Sequence, residues 1–184
     1  MSKAITTSTK KDFEVNDDVK AERTGFMKKS GDFVLCVACR EQGFCRLGIT
    51  REELLEDGKS LTQVKAGADT AGSPGVAHGG WTASVLDEAM GHLAIFAGTF
   101  TVTSTLTIEY LRPVPVERDL EAYCWVEKCE NGRWYTVGEL RLAGTEKALA
   151  RAKGVFIERD ASHFKKHQEW LARHDQRSAK SSEQ

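Results

Sequence analysis

The feature that most constrains the fold is a single change of period. Residues 80–97 read as a helix, with Trp81, Val85, Ala89, Leu93 and Phe96 on one face at spacings of four and three. Gly98 stands where a helix C-terminal cap is expected. Beyond it the period drops to two. In residues 101–111, Val102, Ser104, Leu106, Ile108 and Tyr110 alternate with Thr101, Thr103, Thr105, Thr107 and Glu109. So many β-branched side chains disfavour a helix. Arg112-Pro113-Val114-Pro115 ends this strand, because each proline removes a ladder donor. Residues 120–128 and 134–142 then form a hairpin across Glu130-Asn131-Gly132-Arg133, with Asn-Gly as the turn signal. Residues 146–158 supply the last strand, although 146–153 has a helix-favouring composition.

Upstream, two short strands are expected at residues 47–54 and 61–68, joined by Glu56-Asp57-Gly58-Lys59. Gly72, Pro74 and Gly75 rule out a regular element over 71–74. An amphipathic helix over 162–173 closes the domain through Phe164 and Leu171. The order gives an α+β fold, an antiparallel sheet wrapped around one long central helix with a C-terminal helix. A single domain covers 22–176, and the polar stretches 1–21 and 177–184 are expected to be flexible tails.

At 184 residues the chain is long enough for one real core, and its net charge of -1 offers no basic field for nucleic acid or an anionic membrane. No run approaches the ~18 apolar residues of a membrane span. The five cysteines are an odd number, and no apolar export signal precedes them. A reducing cytoplasm is therefore expected rather than a disulfide framework. Cys36, Cys39 and Cys45 provide three thiols where a structural zinc needs four ligands, so no metal is expected.

The chemistry concentrates at Gly75-Val76-Ala77-His78-Gly79-Gly80, which runs into the helix and on to Asp87-Glu88. Glycines at a helix start let a ligand approach free N–H groups at the positive dipole end, a site suited to a carbonyl oxygen that becomes an oxyanion. A carboxylate nearby can act as nucleophile or deprotonate water. Yet Gly79 and Gly80 precede Asp87 by eight and seven residues, ~10–12 Å along a helix axis. Both groups can meet one carbonyl only if a second copy packs antiparallel about a two-fold axis. Gly80, Ser84, Asp87 and Gly91 form a stripe of mostly small residues that would permit that approach. A homodimer, or a dimer of dimers, with sites shared between subunits is expected.

His78-Gly79-Gly80, the seven-residue step to Asp87, Glu88, Gly91, Thr103 and Tyr110-Leu111-Arg112-Pro113 together resemble the hotdog-fold acyl-CoA thioesterases of the phenylacetate-pathway (PaaI-like) type. The resemblance covers about 48–159. It implies Asp87 as general base or nucleophile, Gly79, with Gly80, as the N–H site polarising the thioester carbonyl, and Thr103 as a hydroxyl placing the attacking water. His78 would hold the loop or contact the thioester. No cofactor is implied, since coenzyme A enters with the substrate. Some members carry Asn or Gln six or seven residues before this glycine-rich motif. Here 71–73 offers only Ser73 as a polar side chain, which implies a different arrangement for the water.

Each residue also has a plain structural reading. His78 alone would be a capping or core histidine, Glu88, a candidate substrate contact, would otherwise be a solvated or structural neighbour, and Thr103 one of four strand-face threonines. Arg112 reads as a solvated strand end or a contact to coenzyme A phosphate, and His92 as structural. A non-catalytic acyl-CoA-binding or sensing protein and an acyl-CoA hydratase or dehydratase are the alternatives to hydrolysis.

Overall fold

The structure is a computed structural model that describes residues 28–30, 33–160 and 162–182. The N-terminal stretch 1–21 expected to be a tail lies outside the described residues. In chain order the strands and helices are β1 (Lys28–Ser30), β2 (Phe33–Leu35), α1 (Val37–Gln42), β3 (Ile49–Leu54), β4 (Ser60–Lys65), β5 (Ala71–Ser73), β6 (Val76–Ala77), α2 (Gly79–Phe96), β7 (Thr101–Tyr110), β8 (Asp119–Glu130), β9 (Arg133–Leu142), β10 (Ala148–Glu158) and α3 (Ser162–Ser182). Six strands form one sheet in the order β3-β4-β8-β9-β10-β7. Every neighbouring pair is antiparallel.

The expected Asn-Gly turn sets the register. Asn131 and Gly132 both have positive φ, 52° and 67°, as a two-residue hairpin turn of the primed type requires. Glu130 and Arg133 pair across it.

The sheet curves around α2, whose buried residues are Trp81, Thr82, Val85, Leu86, Ala89, Met90, His92, Leu93 and Ala94. They meet Leu120, Ala122 and Cys124 of β8, Leu140 of β9 and Ala150, Ala152 and Phe156 of β10. Each large side chain fully buried here contributes roughly 1.5–3 kcal/mol over exposure. Two glycines let the helix sit this low. A Cβ on Gly154 would come 2.8 Å from Met90 Cε, and one on Gly138 2.9 Å from Met90 Sδ. Along the other side of α2, Gly80 and Ser84 are exposed, while Asp87 and Gly91 are half-buried beside β7 and β10.

Two expectations are corrected, over 71–74 and in the C-terminal helix, while the expected last strand forms. Residues 71–74 do contain a regular element: β5 pairs with β6 around Pro74-Gly75, with a register shift between Ala71 and Ser73. The proline occupies the turn, where no ladder donor is needed, and Gly75 takes a φ of 71°. The segment after Glu146 is strand from Ala148 despite its composition, because β9 and β7 bond it on both sides. The C-terminal helix runs past 173 to Ser182. It is anchored by Phe164, whose ring meets Phe100 edge-on at 5.5 Å, and not by Leu171, which is 41% exposed beside a 54% exposed Trp170.

Candidate active site

The helix start is held by a small framework. Ala77 N–H donates to the Val114 carbonyl, and His78 N–H to that of Thr70, both at 2.8 Å. Gly72 must lack a side chain here, since a Cβ would lie 2.9 Å from the His78 Cα. His78 is the N-cap of α2, and its Nδ1 accepts from the Gly80 N–H at 2.9 Å. The capping reading and the loop-holding reading of His78 therefore coincide. Gly80 spends its N–H within the protomer. The Gly79 N–H has no acceptor among the described residues, and it stands at the positive end of an eighteen-residue helix. Tyr110 locks this corner from the end of β7 by donating its hydroxyl to the Gly79 carbonyl at 3.0 Å.

Beside Gly79 lies an open cleft of about 430 Å³, lined among others by Ser73, Val76, Tyr110, Arg112 and Val114. Arg112 borders it with its guanidinium tied to the Ala148 carbonyl at 2.6 Å. Asp87 is absent from that lining, as the ~12 Å of helix between Gly79 and Asp87 demands. Within one chain the Gly79 N–H and the Asp87 carboxylate thus stand apart.

Asp87 sits on the outward face of α2, where Thr103 of β7 donates to its Oδ1 at 2.8 Å. Burial pushes the Asp87 carboxyl above its ordinary range; the Thr103 bond opposes this, and the neighbouring Glu88 charge adds to it. Its other oxygen, Oδ2, is the one left to meet a water or a carbonyl carbon. Glu88 turns the opposite way. Its Oε1 lies 3.4 Å from His92 Nε2, one turn along the helix. Burial alone would raise Glu88, but the His92 contact outweighs it and holds the carboxyl below its usual range.

Sequence reasoning missed Glu52 and read His92 as structural, without its partners. His92 Nδ1 lies 2.7 Å from Glu52 Oε1, with both side chains buried. Burial works against a charged His92, yet Glu52 first, then Glu88, push its pKa up to about 10. The four-residue step from Glu88 to His92 was a visible signal. The Glu52 contact was not, since it spans forty residues. Among the described residues no group of three His, Cys, Asp or Glu could hold a metal ion. Cys39 instead accepts from the Arg46 N–H at 3.3 Å.

The thioesterase superfamily matches residues 74–148, the span from the helix-start framework through the hairpin to the start of β10. The fold is the hotdog fold of that superfamily. Mouse acyl-coenzyme A thioesterase THEM5 is 30% identical over 100 residues, 54% of this chain and 40% of the relative. The chain therefore spans about two fifths of the length of the curated relatives it matches. The BH2602 protein of Bacillus halodurans, solved with CoA, is 25% identical with a TM-score of 0.53, over 60% of this chain and 74% of that one. The PaaI protein of the E. coli phenylacetic acid degradation operon shares the hotdog at 23% identity and a TM-score of 0.56, over 65% and 87% of the two chains. No helix among the described residues is long and apolar enough to cross a membrane.

Proposed function

We propose that this protein is an acyl-CoA thioesterase, hydrolysing a thioester to a carboxylic acid and free CoA at sites shared between two copies. The observation that carries the reading is Asp87: a half-buried carboxylate with raised basicity, oriented by Thr103, on the outward face of a helix whose start bears the Gly79 N–H. Names of relatives support the substrate class, since the curated matches are acyl-CoA thioesterases and several similar solved structures contain CoA or acetyl CoA.

In the two-fold pairing, the cleft at one helix start receives the acyl thioester and the partner's carboxylate faces its carbonyl. Asp87 acts as general base or as nucleophile. As base it takes a proton from water while the hydroxide attacks the carbonyl carbon. Negative charge gathers on the carbonyl oxygen against Gly79, and the intermediate collapses with the C–S bond breaking. The thiolate then regains the proton from Asp87. Arg112, fixed at the cleft rim, would face the CoA phosphates. The free thiols of Cys36, Cys39, Cys45 and Cys124 suit a reducing compartment such as the cytoplasm.

The test is thiol release from a panel of aryl-, short- and long-chain acyl-CoAs. Asp87→Asn keeps shape but removes the base, so kcat should fall ~10²–10⁴-fold while acyl-CoA binding survives. Parent-like turnover by this variant would remove Asp87 from the mechanism. Tight binding without turnover by the parent would favour the sensing alternative.

A further inference from the structure

Three charged side chains from two elements meet in the core directly behind Asp87. His92 of α2 is 2% exposed at its side chain, and Glu52 of β3 is 0% exposed. Their contact is 2.7 Å, and Glu88 lies 3.4 Å from the other ring nitrogen. The second distance is long for a hydrogen bond and suits an ion contact. Glu52 is otherwise satisfied: its Oε2 accepts from Val34 N–H at 2.9 Å, and its Oε1 also accepts from Thr62 Oγ1 at 3.2 Å. Nδ1 thus meets the Glu52 carboxylate directly, while Nε2 makes no hydrogen bond and has Glu88 Oε1 3.4 Å away. With both carboxylates ionised, a neutral ring would set a lone pair against one of them, whereas the imidazolium suits both sides.

The consequence falls on Glu88. A largely buried glutamate without a partner would take up a proton or turn toward solvent. Either course would remove it as a fixed charge, and the second would let it compete with Asp87 for Thr103. Clamped by His92, it stays ionised and turned inward, adjacent in sequence to Asp87. The cluster as a whole carries two negative charges and one positive, and Glu88 is its member nearest the helix surface, with 25% of its side chain exposed.

We propose that Glu52 and His92 are positioning residues that hold Glu88 as a permanent anion beside Asp87, and that this anion strengthens Asp87 as the base. The catalytic consequence rests on the thioesterase reading; the electrostatic one does not. The other groups around the cluster leave this direction intact. Thr103 from β7 and the His92 charge both oppose it and are weighed against burial and Glu88, which together raise the Asp87 carboxyl. The Cys36 and Cys45 thiols lie within electrostatic reach of Glu88, and Cys124 of β8 within that of Glu52. Burial pushes all three thiols up, so they remain neutral.

The experiment uses the full chain and its Glu88→Gln variant, which keeps the shape and a contact to His92 but removes the charge. Carboxyl-carbon NMR follows the titration of Asp87 in both. The Asp87 midpoint should move to lower pH in the variant, and an unmoved midpoint overturns the proposal. With a hydrolysed acyl-CoA, the acid limb of kcat should move the same way. The plateau should fall about threefold, as for a modestly weakened general base, with KM unchanged. A merely structural Glu88 would lower kcat or stability without moving that limb. Nitrogen-15 NMR of the parent gives a check needing no variant. His92 should remain doubly protonated at pH 8, where an ordinary histidine is neutral, and a neutral His92 there overturns the clamp. Should no acyl-CoA be hydrolysed, the thioesterase reading fails, while both NMR measurements still decide this one.

Discussion

Thr103 shows how little a residue's type says about its use. Four threonines line one side of β7, and strand propensity accounts for all of them. Thr103 alone lies level with Asp87 in the register that β7 takes against α2, and its hydroxyl reaches Oδ1 at 2.8 Å. Thr103→Val keeps the branched shape and removes the donor. The hydrogen bond favours the ionised carboxylate, so its loss raises the Asp87 carboxyl further. The base works only when ionised, and the acid limb of the rate profile should therefore move to higher pH. A loss of about tenfold in kcat at neutral pH would correspond to ~1.4 kcal/mol of transition-state stabilisation. A profile superimposable on the parent's would show that Thr103 does not orient the base. The move is opposite in sign to that expected for Glu88→Gln, which makes the two variants a matched pair.

At the scale of elements, β3 and α2 are joined by a buried ion contact as well as by apolar packing. Glu52→Ala would strand the His92 charge and leave the Val34 N–H and Thr62 hydroxyl without their acceptor. Breaking a buried pair in this way costs ~3–5 kcal/mol, readable by urea unfolding. The pH dependence follows from His92. Its pKa is raised from 6.5 to about 10 in the folded state. Its contribution is thus present in full below 6.5 and is lost as pH rises toward 10. Glu88, lowered on folding, contributes above its ordinary value and loses that contribution as pH falls through its folded one. The parent's unfolding free energy should decline between pH 7 and 10, and His92→Gln should lack that decline. The same slope in both proteins would assign it to other groups. α3 makes the contrasting case, because Leu171 is exposed. Leu171→Ser should shift stability by no more than ~0.5 kcal/mol.

For the whole molecule the question is assembly. The outward stripe of α2 and the ~12 Å between Gly79 and Asp87 make a single chain an incomplete site on the proposed reading. Ser84 is exposed at the centre of that stripe, its hydroxyl bonded to the Gly80 carbonyl at 2.9 Å. Ser84→Arg would set two long cations against each other across a two-fold axis. Light scattering should report a dimer or dimer of dimers for the parent and a smaller species for the variant, with turnover lost in parallel. A parent that is monomeric at micromolar concentration and still active would end the shared-site reading.

What the sequence determined by itself was local structure, though not the β5–β6 pair. The switch of period at Gly98 placed one helix before a run of strands. Asn131-Gly132 placed the hairpin, because positive φ at both turn residues is a property of those side chains. The glycines before Asp87 marked the start of α2 by type and spacing. Tertiary structure decided the rest. Residues 148–153 became strand against their composition because ladders on both flanks, and the need for small Ala150 and Ala152 beneath α2, outweigh intrinsic preference. It decided that Gly80 caps with His78 while Gly79 keeps its N–H, since that depends on the turn β5 and β6 impose. And it brought Glu52 to His92 across forty residues. Periodicity tells which face of an element is apolar; it carries no record of which distant group will meet a charge once both are out of water.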